Sequence, residues 1–304
     1  MTSDEHEIRV LPSRPRLRAL AGGGLCVAAP AKLNLHLRVG PVRPDGFHPV
    51  DSIVAKVTLY DEIELRARDD GRIMFVCEGF DCGPDRTNLA HRAARLLRQR
   101  AASAGADIHL RKSVPPGAGL GGGSSDAAAV LIGLDVLWKL GLAAAELSLL
   151  GAALGSDVPL FLGPPCCRVT GRGEIVEPAD VPDFVAVLIL LGVPCATGDV
   201  YRAYDASGAQ IGPQPDRKML AGLPPSRWRG LLRNDLTAAA RSVCAELDSA
   251  WRRLAAELAV PICMTGSGSA MFVLCDDEAQ AAEVRRSLPA DLRAGSVTVR
   301  RNPW

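Results

Sequence analysis

The segment Pro115-Pro116-Gly117-Ala118-Gly119-Leu120-Gly121-Gly122-Gly123-Ser124-Ser125 constrains this chain more than any other. A short predicted strand at 107–112 leads into it, and its glycines stop at Ser124, where an alanine-rich helical pattern runs to about Trp138. A strand, a loop almost without Cβ atoms and a helix start bring free backbone N–H groups and the positive end of a helix to one point, which suits a phosphate. Glycine also lets the main chain approach an anion closely. Read alone, the segment fits equally a plain linker before a helix capped by Ser124 or Ser125. It is not a Walker A loop, because no Gly-Lys-Ser/Thr follows. Nor does an alternating strand–helix series surround it, as a dinucleotide fold requires.

The rest of the chain is that of an ordinary globule. Its 304 residues suggest two modest domains or one large one, against about 150 residues per domain, and 48% hydrophobic with 23% charged residues excludes disorder or a fibre. Thirty-five basic against 34 acidic residues give no electrostatic case for nucleic acid or an anionic membrane as partner. Five of the 35 cations are lysines, so each lysine merits scrutiny. The longest apolar stretch, 184–193, is too short for a bilayer. Nine scattered cysteines, including the adjacent Cys166 and Cys167, make a poor disulfide framework, and no second pair joins Cys77 and Cys82 to complete a zinc site. Reduced thiols in a cytoplasm are expected.

Residues 1–24 are expected to be a tail; Arg14, Arg16 and Arg18 before a weakly apolar stretch imitate a secretory signal, but Gly22, Gly23 and Gly24 break its apolar centre. Strands are expected at 25–39, 52–59, 61–66 and 72–76, a helix at 89–100 starting at Thr87-Asn88, a helix at 146–154 and strands at 167–170 and 174–176. A Pro- and Asp-containing stretch before Phe184 marks a boundary between domains of 25–181 and 182–304. Beyond it come a strand, a helix at 199–207, a Pro/Arg-rich loop, a long helix at 236–258, strands at 262–265 and 270–275, a helix at 277–288 and a last strand at 296–300. The order is α+β.

Several single residues have both a plain and a chemical reading. Lys32 stands on an alternating strand, where a lysine is most often solvated. Asp157, after Gly155-Ser156, fits an ordinary turn or helix cap, His48 beside Pro49 fits a surface turn, and the 266–269 run Gly-Ser-Gly-Ser fits a strand-to-strand turn. Phosphoryl transfer needs a phosphate cradle, a charge stabiliser and a group that orients the attacking hydroxyl, and together these segments can supply all three.

The glycine loop with its leading prolines resembles the phosphate-binding motif of the GHMP kinases, the family of galactokinase, homoserine kinase and mevalonate kinase. Pro30-Ala31-Lys32-Leu33-Asn34-Leu35, Arg43-Pro44-Asp45-Gly46-Phe47-His48 and Gly155-Ser156-Asp157-Val158-Pro159 are similar to one branch of it, whose acceptor is a cytidine diphosphate-linked methylerythritol of the non-mevalonate isoprenoid route. Thr265-Gly266-Ser267-Gly268-Ser269 is similar to the family's third glycine motif, and the likeness spans about 26–275. The resemblance implies a ribosomal-protein-like N-terminal domain, a ferredoxin-like C-terminal domain, and ATP and Mg²⁺ as cofactors. It places Pro116 to Ser125 and Asn88 on the nucleotide, Lys32 and Asp157 at the chemistry, and Asn34, Phe47, His48, Thr197 and Tyr201 around the acceptor. Phe47 stands where many relatives carry Tyr, which keeps an aromatic face and loses a hydroxyl. A Lys32–Asp157 pair is expected to raise the lysine's pKa and lower the aspartate's. An amino-acid kinase of the same family, a silent sensor on the same fold and an NAD-dependent oxidoreductase are the rival readings; retention of both Lys32 and Asp157 speaks against a sensor, and the element order against the oxidoreductase.

Overall fold

A computed structural model describes residues 17–81, 83–101, 103–208, 211–228 and 230–302. The first sixteen residues of the expected tail lie outside that set. The first half comprises strands β1 (Leu17–Ala19), β2 (Leu25–Val39), β3 (Val50–Arg68) and β4 (Ile73–Gly79), helix α1 (Leu89–Leu97), strand β5 (Gly105–Lys112), helices α2 (Gly122–Leu137), α3 (Ala144–Leu154) and α4 (Val158–Leu162), and a hairpin of β6 (Cys166–Gly171) and β7 (Ile175–Pro178). The second half adds β8 (Val185–Ile189), α5 (Thr197–Ala206), β9 (Arg233–Asn234), α6 (Thr237–Val243), α7 (Ala245–Glu257), β10 (Cys263–Met264), β11 (Met271–Cys275), α8 (Glu278–Ser287), α9 (Ala290–Ala294) and β12 (Ser296–Arg300). No described helix is long and apolar enough to cross a membrane.

The first sheet runs β1-β2-β3-β5-β4, and the long β3 also carries β6 along its first six residues and β5 along its last seven. β9 pairs in parallel with β2, so the second half contributes a strand to the first sheet. The second sheet is antiparallel throughout, in the order β10-β11-β8-β12. One apolar core lies between the first sheet and α1–α4, and another lies between the second sheet and its helices. A third joins the sheets, with Leu33, Leu35 and Ile53 against Leu188, Trp228 and Phe272.

β2 aims its residues by changing faces. Val27 and Ala29 belong to the first core, whereas Ala31, Leu33 and Leu35 belong to the core between the sheets. The register against β3 shifts between Pro30 and Ala31, where β3 sets two extra residues, Thr58 and Leu59, against a single step of β2, and at that irregularity the odd-numbered side chains of β2 pass from one core to the other. Lys32 and Asn34 thereby point to the helix side, and the alternation Lys-Leu-Asn-Leu-His-Leu makes the switch visible only in three dimensions.

Several expectations need correction. The strands expected at 52–59 and 61–66 are one 19-residue strand, because nothing between Leu59 and Asp61 can turn the chain and a bulge of β3 itself at Thr58 and Leu59 absorbs the irregularity. The long helix at 236–258 breaks at Cys244, whose φ of −125° and ψ of 100° are extended. α2 begins at Gly122, inside the glycine run, with left-handed Gly121 (φ 72°) as its cap in place of a serine. Leu17–Ala19, counted with the tail, pairs with β2. Short α4, α9 and β9 carry too few residues to show a period, and none was expected. Seven described cysteines are free, but Cys77 is disulfide-bonded, against the expectation of reduced thiols throughout. It sits half-buried on β4, an edge strand, where a thiol is more accessible than the six free cysteines that are fully buried.

Candidate active site

A cleft of about 730 Å³ opens where the glycine loop, β2, α4 and α5 converge. Pro116 through Ser124 line it, as do Asn88, Lys32, Asn34, Asp157, Thr197 and Tyr201. Ser125 lies just beneath, buried, with its hydroxyl unpartnered. Of the residues expected from sequence, Phe47 and His48 stand outside the lining, on the turn between β2 and β3.

The glycines of the loop have distinct reasons. Gly119 (φ 78°) passes so close to the third glycine segment that a Cβ would lie 2.2 Å from the Thr265 carbonyl oxygen. Gly121 would place one 2.8 Å from the Phe161 ring, and Gly122 one 2.7 Å from Lys112 Nζ. Gly123 would meet only Leu89 at 3.9 Å. The first N–H groups of α2 have no partner inside the helix, so they face the cleft with the positive end of a 16-residue dipole.

Beneath the loop lies a charge network that the sequence did not reveal. Lys112 pairs with Asp61 and, at 2.9 Å, with Asp126, all three buried. Asp61 also accepts from the backbone N–H groups of Ser113 (2.6 Å) and Val114 (2.7 Å). Burial would pull the Lys112 ammonium down, but Asp126 and Asp61 carry it above the usual lysine range. Burial and the neighbouring Asp61 push the Asp126 carboxyl well above the ordinary carboxylate range, with Lys112 opposing. The scarcity of lysines was the one available signal for Lys112; nothing marked Asp61 or Asp126.

Lys32 is held from both halves of the chain. Its ammonium donates to Asn34 Oδ1 and, at 3.3 Å, to Thr265 Oγ1. Asn34 accepts from Gly266 N (2.9 Å) and donates through Nδ2 to Ser52 Oγ (2.8 Å). Asn234 pins the third segment by donating to the carbonyls of Met264 (2.9 Å) and Gly266 (2.8 Å). The expectation of a raised Lys32 pKa is overturned: burial lowers it to about 8, and the opposing charge of Asp157 recovers only part. A fully buried ammonium loses more to desolvation than a single exposed carboxylate returns.

Asp157 stands exposed at the start of α4, its side chain not spent on capping that helix. Opposite, Thr197 shares a hydrogen bond with Ser267 (2.9 Å), and burial followed by the Asp157 charge pushes the Tyr201 phenol up to about 12. His48 packs on Tyr201 with ring centroids 5.1 Å apart. Its Nδ1 donates to the Gly40 carbonyl at 2.8 Å, and its Nε2 lies 3.3 Å from Asp205. Both nitrogens are therefore engaged within the protein. Phe47 is 46% exposed, with the Arg172 guanidinium 3.5 Å above its ring.

Residues 88–163 match the GHMP kinases N terminal domain and residues 225–294 the GHMP kinases C terminal domain. The chain is 38% identical over 278 residues to a 4-diphosphocytidyl-2-C-methyl-D-erythritol kinase of Synechococcus sp. (strain JA-3-3Ab), covering 86% of this chain and 88% of that one. It belongs to the GHMP kinase family. The likeness of this GHMP kinase to the same enzyme of Bacillus pumilus (strain SAFR-032) is 36%, over 86% and 91% of the two chains. A crystal structure of 4-(cytidine 5'-diphospho)-2C-methyl-D-erythritol kinase superposes on it with a TM-score of 0.75 at 34% identity, covering 91% of this chain and 99% of that one. The two-domain GHMP kinase fold expected from the sequence is thus the fold of this protein.

Proposed function

We propose that this kinase transfers the terminal phosphoryl group of ATP to the 2-hydroxyl of 4-diphosphocytidyl-2-C-methyl-D-erythritol, as a cytoplasmic enzyme of isoprenoid precursor synthesis. The observation that carries the reading is the convergence in one cleft of a main-chain anion cradle, a buried amine and an exposed carboxylate, with an aromatic ring beside them. The loop from Pro116 to Ser125 holds the ATP phosphates through backbone N–H groups, and Asn88, which caps α1 through a 2.9 Å bond to Ala90 N, borders the nucleotide. Mg²⁺ would be held there by phosphate oxygens, water and the unpartnered hydroxyl of Ser125, and would supply positive charge to the phosphates; such an ion takes only one or two protein oxygens. Among the described residues no group of three His, Cys, Asp or Glu side chains could form a cage of its own for it.

At the other end Tyr201 and Phe47 offer faces to the cytosine, with His48 as the support behind Tyr201. Asn34 and Thr197 flank the polyol. Asp157 orients the acceptor hydroxyl and takes its proton as the O–P bond forms. Lys32 neutralises charge on the transferring phosphoryl group, whose transition state needs positioning and cations more than covalent help.

The test is ADP release from ATP against a panel of acceptors with and without a cytidine diphosphate group. Turnover confined to the cytidine diphosphate-linked polyol supports the reading. Turnover with a free amino-acid alcohol such as homoserine would replace it by another member of the family.

A further inference from the structure

Arg172 lies in the tight turn between β6 and β7, flanked by Gly171 (φ 74°) and Gly173 (φ 123°). It was not among the residues singled out from sequence, yet it lines the cleft together with Gly173. Two contacts fix where it sits. On one side its guanidinium covers the Phe47 ring, with Cζ 3.5 Å from the centroid. On the other, Gly173 packs so tightly on the turn before α4 that a Cβ there would be 3.2 Å from the Ser156 carbonyl and 3.4 Å from Asp157 Oδ1. The turn therefore bridges the aromatic platform and the carboxylate at the chemistry.

Its charge also stands apart from its neighbours. Arg43 pairs with Asp45 at 3.0 Å, and Arg202 pairs with Asp199. Lys112 is neutralised by two aspartates. Glu174, the acid nearest in sequence, folds back to accept from the backbone N–H of Arg172 at 2.6 Å. Among the described residues the Arg172 side chain has no carboxylate partner, and its guanidinium rests on the Phe47 ring. A guanidinium stacked by one face keeps its N–H edge free, and that fork matches phosphate oxygens.

We propose that Arg172 binds the diphosphate that joins base to polyol in the acceptor. The inference rests on the assignment of the base to Phe47 and Tyr201 and of the reacting hydroxyl to Asp157. Given those ends, the linker must cross the turn that carries Arg172. The residue then reads the length and charge of the linker, and so separates a cytidine diphosphate derivative from an uncharged nucleoside.

The experiment measures binding of cytidine 5'-diphosphate and of cytidine by calorimetry, in the full chain and in Arg172→Gln, together with the acceptor and ATP KM values. Arg172 is exposed, and a thermal melt checks that the fold is intact. The expected result is a loss of about tenfold or more for cytidine 5'-diphosphate, less than twofold for cytidine, a raised acceptor KM and an unchanged ATP KM. Equal losses for both ligands would make Arg172 only a shelf on Phe47 and overturn the proposal, as would no loss for either. If the unmodified protein binds ATP but neither cytidine ligand, the assignment of the base fails and takes this inference with it.

Discussion

The two ends of the cleft are built by opposite means. The end proposed for the nucleotide is main chain over a charge network: Lys112, Asp61 and Asp126 are buried beneath a loop with few side chains, with Lys112 and Asp126 at the floor of the cleft. The end proposed for the acceptor is made of side chains on turns and helix starts, with Phe47, Arg172 and Asp157 exposed. In that reading a phosphate chain common to many reactions is met by backbone, which side-chain charge does not alter and which added bulk, or the missing N–H of a proline, would obstruct. The part of the reaction that distinguishes one kinase from another is met by residues that can change without disturbing a core. Stability should therefore be concentrated at one end and selectivity at the other.

The largest test of that division is Lys112→Met. Removing the ammonium leaves Asp61 and Asp126 buried against each other without a cation, and breaking a buried pair in this way costs about 3–5 kcal/mol. Chemical denaturation should show that loss. A stability change below about 1 kcal/mol would mean that the network is not what supports the loop. Its neutral counterpart Asp126→Asn should cost far less, because the raised pKa of that carboxyl says that the site already favours the uncharged form.

At the acceptor end the expected effect falls on turnover instead. Asp157→Asn should cut kcat by about 10²-fold or more, the scale of one general acid–base contribution, with the melting temperature unmoved. Lys32→Ala should lose kcat in the same step. The double variant should lose much less than the product of the two, because groups that act as a unit are not additive. Multiplicative losses, read from single-turnover rates, would show independent roles.

Tyr201→Ala should raise the acceptor KM several-fold and leave ATP binding alone, since stacking on one ring is worth about 1–3 kcal/mol in nucleic-acid binders. An equal loss of ATP affinity would erase the contrast between the ends.

The mildest test is a pH profile. With the Lys32 pKa lowered to about 8, the amine is charged below that pH and neutral above it, so kcat/KM should fall on the basic side near pH 8. Bound phosphates favour the charged amine, so with ATP saturating the limb should move to higher pH. For stability the sign is reversed. Between about pH 8 and the ordinary lysine value of 10.5 the unfolded chain holds more protons, so this group's contribution to folding rises with pH.

Much of the fold was legible because its signals are local. β2 was expected at 25–39 and is found at Leu25–Val39, since its apolar first half runs directly into an alternating second half with no turn signal between them. Asn88 was expected at a helix start and caps α1 through its side chain. The glycine loop was legible for the same reason. What escaped was non-local or without a periodic signal: β9 pairs with β2 from nearly 200 positions away, and no period reports the break at Cys244. In the candidate site, residue types were legible and environments were not. Lys32 could be chosen from five lysines, but its burial, and hence the direction of its pKa, depends on Thr265 and Gly266, more than 230 positions away. His48 could be named, yet only the structure shows both of its nitrogens already engaged.

The clasp of Thr265 and Gly266 on Lys32 and Asn34 makes competence a property of the finished molecule. A chain emerging from synthesis with its first half already compact would possess the glycine loop and still lack the hydroxyl and the amide that fix the amine. Such a chain could capture a nucleotide without being able to spend it on water or on the wrong alcohol. The setting of the amine is thus completed late in the chain, because the segment between β10 and β11 has to close over β2.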